Sequence, residues 1–169
     1  MEYAAAVYLM AAVLLGVAGA AKAVTPEPAS AALARLHLPH SLWVVRLLGI
    51  VELVVAVSAF VVGGAGPAIA LAALYGGFAH AAWAMVRLGP GVSCGCFGRA
   101  EMPASLRHVV VNILALAAGV VAASWPVESI DNLFDSRQWL LAPFAVVVVG
   151  GAYGVFAWLS QSGLRAVRS

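Results

Sequence analysis

The sequence has few charged residues, and this scarcity excludes most classes of soluble protein. Asp, Glu, Lys and Arg make up 9% of the 169 residues, whereas hydrophobic residues make up 64%. A soluble globular domain is about 25% charged and about 45–50% apolar. The formal net charge is only +2 and the sequence lacks a basic patch interleaved with aromatic residues, so we expect no nucleic-acid partner. The composition instead indicates an integral membrane protein whose main partner is the lipid bilayer.

Cysteine is also scarce, and this limits what cysteine can do in the protein. The chain has two cysteines, Cys94 and Cys96, separated by a single glycine. Two thiols this close in sequence cannot staple a fold, which excludes a disulfide scaffold. Both lie within residues 87–103, a polar break punctuated by Gly and Pro. This break carries the most specific chemical signal in the sequence.

Long apolar segments make up most of the remaining chain and predict five transmembrane helices. A helix of about 20 residues, at ~1.5 Å per residue, crosses a hydrocarbon core of about 30 Å. The expected spans are 4–24, 42–62, 67–86, 106–124 and 139–159. No Lys or Arg precedes Lys22, so the first segment lacks the basic start of a signal peptide and is expected to remain a helix.

Two of the connections also carry structural signals. The segment from Ser30 to Leu38 predicts a short interfacial helix between the first two spans. Ser105 is a suitable N-cap residue for the fourth span, because its hydroxyl can accept a hydrogen bond from a free backbone N–H of the first turn.

Basic residues in the connections and at the ends of the spans are unevenly distributed between the two sides of the membrane, which predicts the orientation of the protein. One side of the membrane would carry Lys22, Arg35, Arg87, Arg99, Arg107, Arg165 and Arg168. The other side would carry Arg137. The positive-inside rule then places the cysteine loop in the cytoplasm of a multi-pass protein, of the bacterial inner or plasma membrane type. Disulfides persist mainly outside the cytosol, so an oxidising role is more typical of the opposite orientation.

Polar side chains within the spans gather in the half of the membrane next to the cysteine loop. They are Lys22, Arg46, Glu52, His80, His108 and Asn112. A charge in hydrocarbon costs about 2.5–3.5 kcal/mol on insertion scales, so such groups usually face the protein interior and pair. We expect Glu52 to pair with Lys22 or Arg46. We also expect a polar pocket in a bundle of the first four spans, with the fifth packed outside. The alternatives are an ion pair that only locks the helices together and an ordinary interhelical role for His80.

The cysteine motif itself favours thiol–disulfide chemistry. Gly95 allows the backbone to bend so that the two thiols approach each other. Phe97 can anchor the loop through an apolar side chain, and Gly98 allows the chain to turn sharply away from it. A disulfide across so short a ring is strained, and strained disulfides tend to be oxidising and catalytic. Arg99, Arg107 and the N-terminus of the fourth span can stabilise a thiolate.

Metal binding is the main alternative for the same residues. The thiolates of Cys94 and Cys96 suit a soft ion such as Cu(I), and His80 with His108 would complete a four-ligand zinc site. A second alternative is that the cysteines are small buried apolar residues. These alternatives describe a metal-binding or assembly protein without redox activity.

The chain resembles the MauE family of methylamine utilisation membrane proteins, which are related to DoxX-like proteins, over about residues 10–120. The resemblance is carried by Gly19-Ala20-Ala21-Lys22, Glu52, Cys94-Gly95-Cys96-Phe97-Gly98 and Asn112. Val111 stands where the family usually has arginine, and Arg107, about one turn earlier, is the candidate to replace it.

The resemblance implies an all-α integral membrane protein with a four-helix transmembrane core. Residues 1–124 would form that domain, and residues 125–169 would add a polar connection and a fifth transmembrane helix. It also implies a thiol–disulfide oxidoreductase that serves a thioredoxin-like partner or an exported client, such as the small subunit of methylamine dehydrogenase. Vitamin K epoxide reductase-like enzymes provide a functional analogy, from which we expect a quinone in the pocket near Glu52 and His80.

Overall fold

The computed structural model describes residues 2–89, 104–125 and 146–159. The cysteine motif, with Cys94, Gly95, Cys96, Phe97, Gly98 and Arg99, lies outside the described residues. The beginning of the expected fifth span also lies outside them. The described residues form helices and connecting turns, with no strand among them.

The described helices follow the hydrophobic segments of the sequence closely. They are α1 (Glu2–Val24), α2 (Glu27–Arg35), α3 (Leu42–Val61), α4 (Ala65–Leu88), α5 (Leu106–Ser124) and α6 (Val146–Leu159). Four of them, α1, α3, α4 and α5, are long and apolar enough to cross a membrane, and α6 is a shorter apolar helix. The predicted all-α membrane fold is therefore confirmed.

The four long helices form a closed ring in which each one packs against two others. Helix α1 packs against α3 and α5, and α4 packs against the same two helices. The contacts of Gly19 with Gly49 and of Gly119 with Ala68 show that successive membrane helices are antiparallel in these pairs. The tightest described connection is the turn at Gly63 and Gly64, which both have positive φ. Glycine adopts this left-handed conformation without the clash that a Cβ would cause. The result is an up-and-down four-helix bundle.

Small residues allow the helices of the bundle to approach closely. The core contains many alanines, among them Ala12, Ala59 and Ala68, which are fully buried. A Cβ at Gly119 of α5 would lie 3.0 Å from the carbonyl oxygen of Ala68 on α4. Because lipid is as apolar as a leucine side chain, association of membrane helices depends on this kind of close packing.

Helix α2 begins earlier than predicted, at Glu27 instead of near Ser30. Proline is present in its first turn, where the missing N–H costs nothing and the fixed φ suits a helix. Ala32 of α2 is buried against Met85 of α4, so the connection between the first two spans is folded onto the bundle.

Helix α6 packs more closely on the bundle than expected. Val148 belongs to the hydrophobic core, and Gly151 lies against the sulfur of Met10 on α1. Further along α6, Leu159 lies beside the end of α1 that carries Lys22. Helix α6 therefore runs alongside α1 in the same direction.

Candidate functional site

A buried ion pair joins α1 and α3 near the end of the bundle where α1 finishes. The Lys22 Nζ atom donates a hydrogen bond to Oε2 of Glu52 at 2.8 Å, and the two residues are only 5% and 0% exposed. The pair forms because Gly19 and Gly49, each three residues before one partner, let the two helices almost touch. The prediction that Glu52 pairs with Lys22 or Arg46 is confirmed, and the partner is Lys22.

Arg46 takes no part in this ion pair. Its guanidinium lies 5.8 Å from the ring centre of Trp43 on the same helix, and its Nε atom has no hydrogen-bond partner among the described residues. The six positions between Arg46 and Glu52 correspond to about 240° around a helix with 3.6 residues per turn. The two side chains therefore leave α3 in different directions, and Arg46 does not join the buried charges.

The start of α5 contributes a second buried polar group. Helix α5 begins after Ser105, as predicted, but the Ser105 hydroxyl contacts Nδ1 of His108 at 3.0 Å instead of capping a backbone N–H. His108 is only 3% exposed, and its Nε2 atom has no partner in the described part of the chain. Asn112 follows one turn later on the same face, as expected.

Lys22, His108 and Asn112 line a small, partly open cavity between α1, α4, α5 and α6. Its volume is about 40 Å³, measured as the space open to a water molecule. Its lining consists of Leu14, Leu15, Ala18, Lys22, Tyr75, Phe78, His108, Val111, Asn112 and Leu159. The Lys22 Nζ atom lies 5.0 Å from the centre of the Phe78 ring, and the Tyr75 hydroxyl donates a 2.7 Å hydrogen bond to the carbonyl of Ala11. The surface of the cavity is thus almost entirely apolar, although Lys22, His108 and Asn112 are among the residues that line it.

Four of the residues expected in the pocket, Arg46, Glu52, His80 and Arg107, are not among the residues that line this cavity. His80 is exposed on the outer face of α4 and does not line the cavity. Arg107 does not line it either, and its guanidinium lies 4.7 Å from the ring centre of Trp158 on α6. Leu159 shows that the fifth hydrophobic segment does contribute to the pocket, although we expected that segment to stay outside.

Sequence reasoning missed two aromatic residues of the site, Tyr75 and Phe78 on α4. Their rings meet edge to face with 6.1 Å between the ring centres, and both side chains line the cavity. A useful signal was available, because they stand three positions apart in a helix that otherwise contains mainly alanine and glycine. That spacing puts both on one face.

The structure does not support the zinc alternative in its four-ligand form. His80 faces outward from α4, whereas His108 is buried inside the bundle. The described residues contain no group of three or more His, Cys, Asp or Glu side chains arranged to hold a metal ion. The other form of the metal alternative, an ion bound only by the thiolates of Cys94 and Cys96, involves residues outside the described ranges.

The comparison with protein families found one match. The model of one protein family, described as methylamine utilisation protein MauE, matches residues 2–125, which is more than half of the chain. No curated protein and no solved structure matches the chain. The family match covers the four helices of the bundle and the segment with the two cysteines.

Proposed function

The chain belongs to the MauE family, and we propose that it is a membrane thiol–disulfide redox protein whose reactive groups are Cys94 and Cys96. In this proposal the two thiols exchange electrons with a thioredoxin-like protein or directly with an exported client. The description of the family points to methylamine utilisation. The resemblance therefore suggests that the client is the disulfide-rich small subunit of methylamine dehydrogenase and that the process is its maturation.

The observation that carries the proposal is the place of the cysteine segment in the fold: it joins the end of α4 to the start of α5. Helix α4 ends at Leu88, and α5 begins at Leu106, two residues before the buried His108. Chain length alone limits how far the thiols can lie from this end, since a residue spans at most about 3.3–3.6 Å. Cys94 is five residues beyond Gly89, which corresponds to at most about 18 Å.

The proposed chemistry is a conventional thiol–disulfide exchange. The thiolate of Cys94 attacks a disulfide of the partner, an S–S bond forms between the two proteins, and the partner's other sulfur leaves with the electron pair and takes up a proton. Cys96 then attacks the mixed disulfide, which leaves Cys94 and Cys96 oxidised and the partner reduced. The reverse sequence oxidises a client. A quinone in the membrane is the proposed acceptor of the two electrons and two protons when the cysteine pair is reoxidised.

The test uses single cysteine variants, because removal of the resolving thiol leaves the mixed disulfide in place. We expect Cys96→Ser to trap a thioredoxin-like partner in a complex that is visible on a non-reducing gel and lost on reduction. The matched control is Cys94→Ser in the same strain, which lacks the attacking thiol and should trap less. Full cellular activity in both variants without any trapped partner would contradict the proposal, as would unreactive thiols with stoichiometric bound metal.

A further inference from the structure

The guanidinium of Arg46 is partly buried and has no carboxylate partner among the described residues. Its Nε atom is buried without a hydrogen bond in the described part of the chain. Neither Nη atom is among the buried polar atoms that lack a partner, and neither is bonded to a described residue, so both reach the surface. Glu52, the one acidic residue of α3, is paired with Lys22. The outer N–H groups of Arg46 therefore need an acceptor from outside the described residues.

The surface around Arg46 faces lipid. Trp43 and Ile50 stand three positions before it and four positions after it, so they are its neighbours on the surface of the helix. They are 78% and 51% exposed, and α3 is long and apolar enough to cross a membrane. Hydrocarbon contains no hydrogen-bond acceptor. The acceptor for Arg46 must then come from the headgroup region of the bilayer.

Arg46 lies close enough to the end of α3 to reach the headgroups. It follows Leu42, the first residue of the helix, by four positions, which corresponds to about 6 Å along the axis. Long basic side chains near helix ends extend to the interface. Trp43 stands nearer the end, and tryptophan is enriched at the boundary between hydrocarbon and headgroups. The guanidinium lies 5.8 Å from the centre of its ring, which places the cation at this boundary.

The charge at this end of the bundle favours an anionic headgroup. Five Lys and Arg side chains occur in the described residues, and all lie at the end where α1 finishes: Lys22, Arg35, Arg46, Arg87 and Arg107. Glu52 balances Lys22, and Glu27 is the other acidic residue of this end within the described ranges. Four arginines and one glutamate leave a net charge of +3. Basic residues near a membrane surface attract anionic lipids.

We propose that Arg46 and Trp43 form a binding site for the phosphate group of an anionic phospholipid at the start of α3. The planar fork of a guanidinium matches two oxygens of a phosphate, and such charge-assisted hydrogen bonds are stronger than neutral ones. Because the Nε atom is buried in the protein, the fork is oriented before the lipid binds, which lowers the entropy cost of binding. The site rests on the membrane fold and is independent of the thiol chemistry.

A second arginine–tryptophan pair at the same end lacks the features of this site. Arg87 lies 5.3 Å from the ring centre of Trp83 on α4, but Arg87 is exposed and is the last residue but one of its helix. Water can satisfy the N–H groups of an exposed arginine at a helix end. We therefore expect Arg87 to contribute only general electrostatic attraction, which makes it the matched control for Arg46.

The site is tested by native mass spectrometry of the full chain in detergent, titrated with phosphatidylglycerol or with phosphatidylcholine of the same acyl chains. Phosphatidylglycerol should bind more tightly. Arg46→Gln should weaken its binding about tenfold more than Arg87→Gln, the lower end of what a hydrogen bond to a charged group contributes. Both substitutions remove the same charge from the same end, so their difference isolates the site. Arg46→Lys keeps the charge without the fork and should bind less tightly than the unmodified protein.

Trp43→Leu is a second variant that keeps every charge. It should also weaken binding, and because Trp43 is 78% exposed the variant should fold normally. Inorganic phosphate should not displace the lipid, since the site faces the bilayer. The unfolding temperature of each variant without added lipid establishes that a weakly binding variant is folded.

Three results would overturn the proposal. Equal effects of Arg46→Gln and Arg87→Gln would reduce the attraction to the general charge of this end. Equal binding of phosphatidylglycerol and phosphatidylcholine by the unmodified protein would exclude selection of an anionic lipid. Displacement by inorganic phosphate would show an anion site that does not depend on the bilayer. The trapping experiment with Cys96→Ser fails or succeeds independently of all three.

Discussion

Gly19 on α1 and Gly49 on α3 face each other so closely that neither position has room for a side chain. A Cβ at Gly19 would lie 2.7 Å from the Gly49 carbonyl oxygen, and a Cβ at Gly49 would lie 2.6 Å from the Gly19 carbonyl oxygen. Lys22 and Glu52 follow these glycines by three residues each, so the close approach of the two backbones also brings the buried charges together.

Gly49→Ala should destabilise the protein, because the new methyl group forces α1 and α3 apart. Overpacking of this kind typically costs about 1–3 kcal/mol, and the measurement is the unfolding temperature in detergent. Gly77→Ala is the matched control, since Gly77 is also inside a membrane helix but a Cβ there would meet nothing within 4 Å. The control should be neutral or slightly stabilising, because alanine is the better helix former. Equal effects of the two substitutions would contradict the close contact.

Glu52→Gln should also lower the unfolding temperature, since it removes the carboxylate that balances the buried Lys22 ammonium. Breaking a buried pair by removing one partner costs about 3–5 kcal/mol. Glu27→Gln, in the exposed first turn of α2, is the control and should have little effect. The double variant Lys22→Met, Glu52→Leu should recover much of the lost stability, because an apolar pair of similar volume needs no charge balance. No recovery in the double variant would indicate that the pair has a role beyond mutual neutralisation.

Trp158→Leu should loosen α6 from the bundle. The Arg107 guanidinium lies 4.7 Å from the Trp158 ring centre, and such contacts contribute about 0.5–2 kcal/mol. Hydrogen exchange of the α6 amides should become faster by roughly two- to thirtyfold, the same energy expressed as an equilibrium constant. Trp83→Leu is the control, because Trp83 contacts Arg87 within α4 at 5.3 Å and does not join two helices. Unchanged exchange in Trp158→Leu would show that Leu159 and Val148 hold α6 without the tryptophan.

A membrane-impermeant maleimide should not label Cys94 or Cys96 in intact cells and should label them after the membrane is opened. This outcome follows from the basic residues on the side of the cysteine segment, which favour the cytoplasm. Val62→Cys in a Cys94→Ser, Cys96→Ser background is the control, because Val62 is 67% exposed at the opposite end of the bundle, and it should be labelled in intact cells. Labelling of the native cysteines from outside would reverse the predicted orientation.

The sequence by itself determined the membrane helices, because their signal is local. A helix that crosses lipid must satisfy its own backbone hydrogen bonds and cover about 30 Å with apolar residues. The predicted span 106–124 therefore coincides with α5, and 42–62 differs from α3 by a single residue. The sequence also limited the partners of Glu52 to two cations, since a carboxylate at that depth needs an opposite charge.

Only the tertiary structure decided which side of each helix faces the interior. In a soluble protein, apolar residues that recur with a period of 3.6 positions show the buried face of a helix. In a membrane both faces of the helix are apolar, so this pattern is lost. The sequence therefore could not show that His80 faces outward while His108 faces the cavity, or that Lys22 and not Arg46 meets Glu52. Nor could it show that Leu159 closes the cavity. These outcomes depend on how glycine and alanine let particular helices approach, which is a property of pairs of helices distant in the chain.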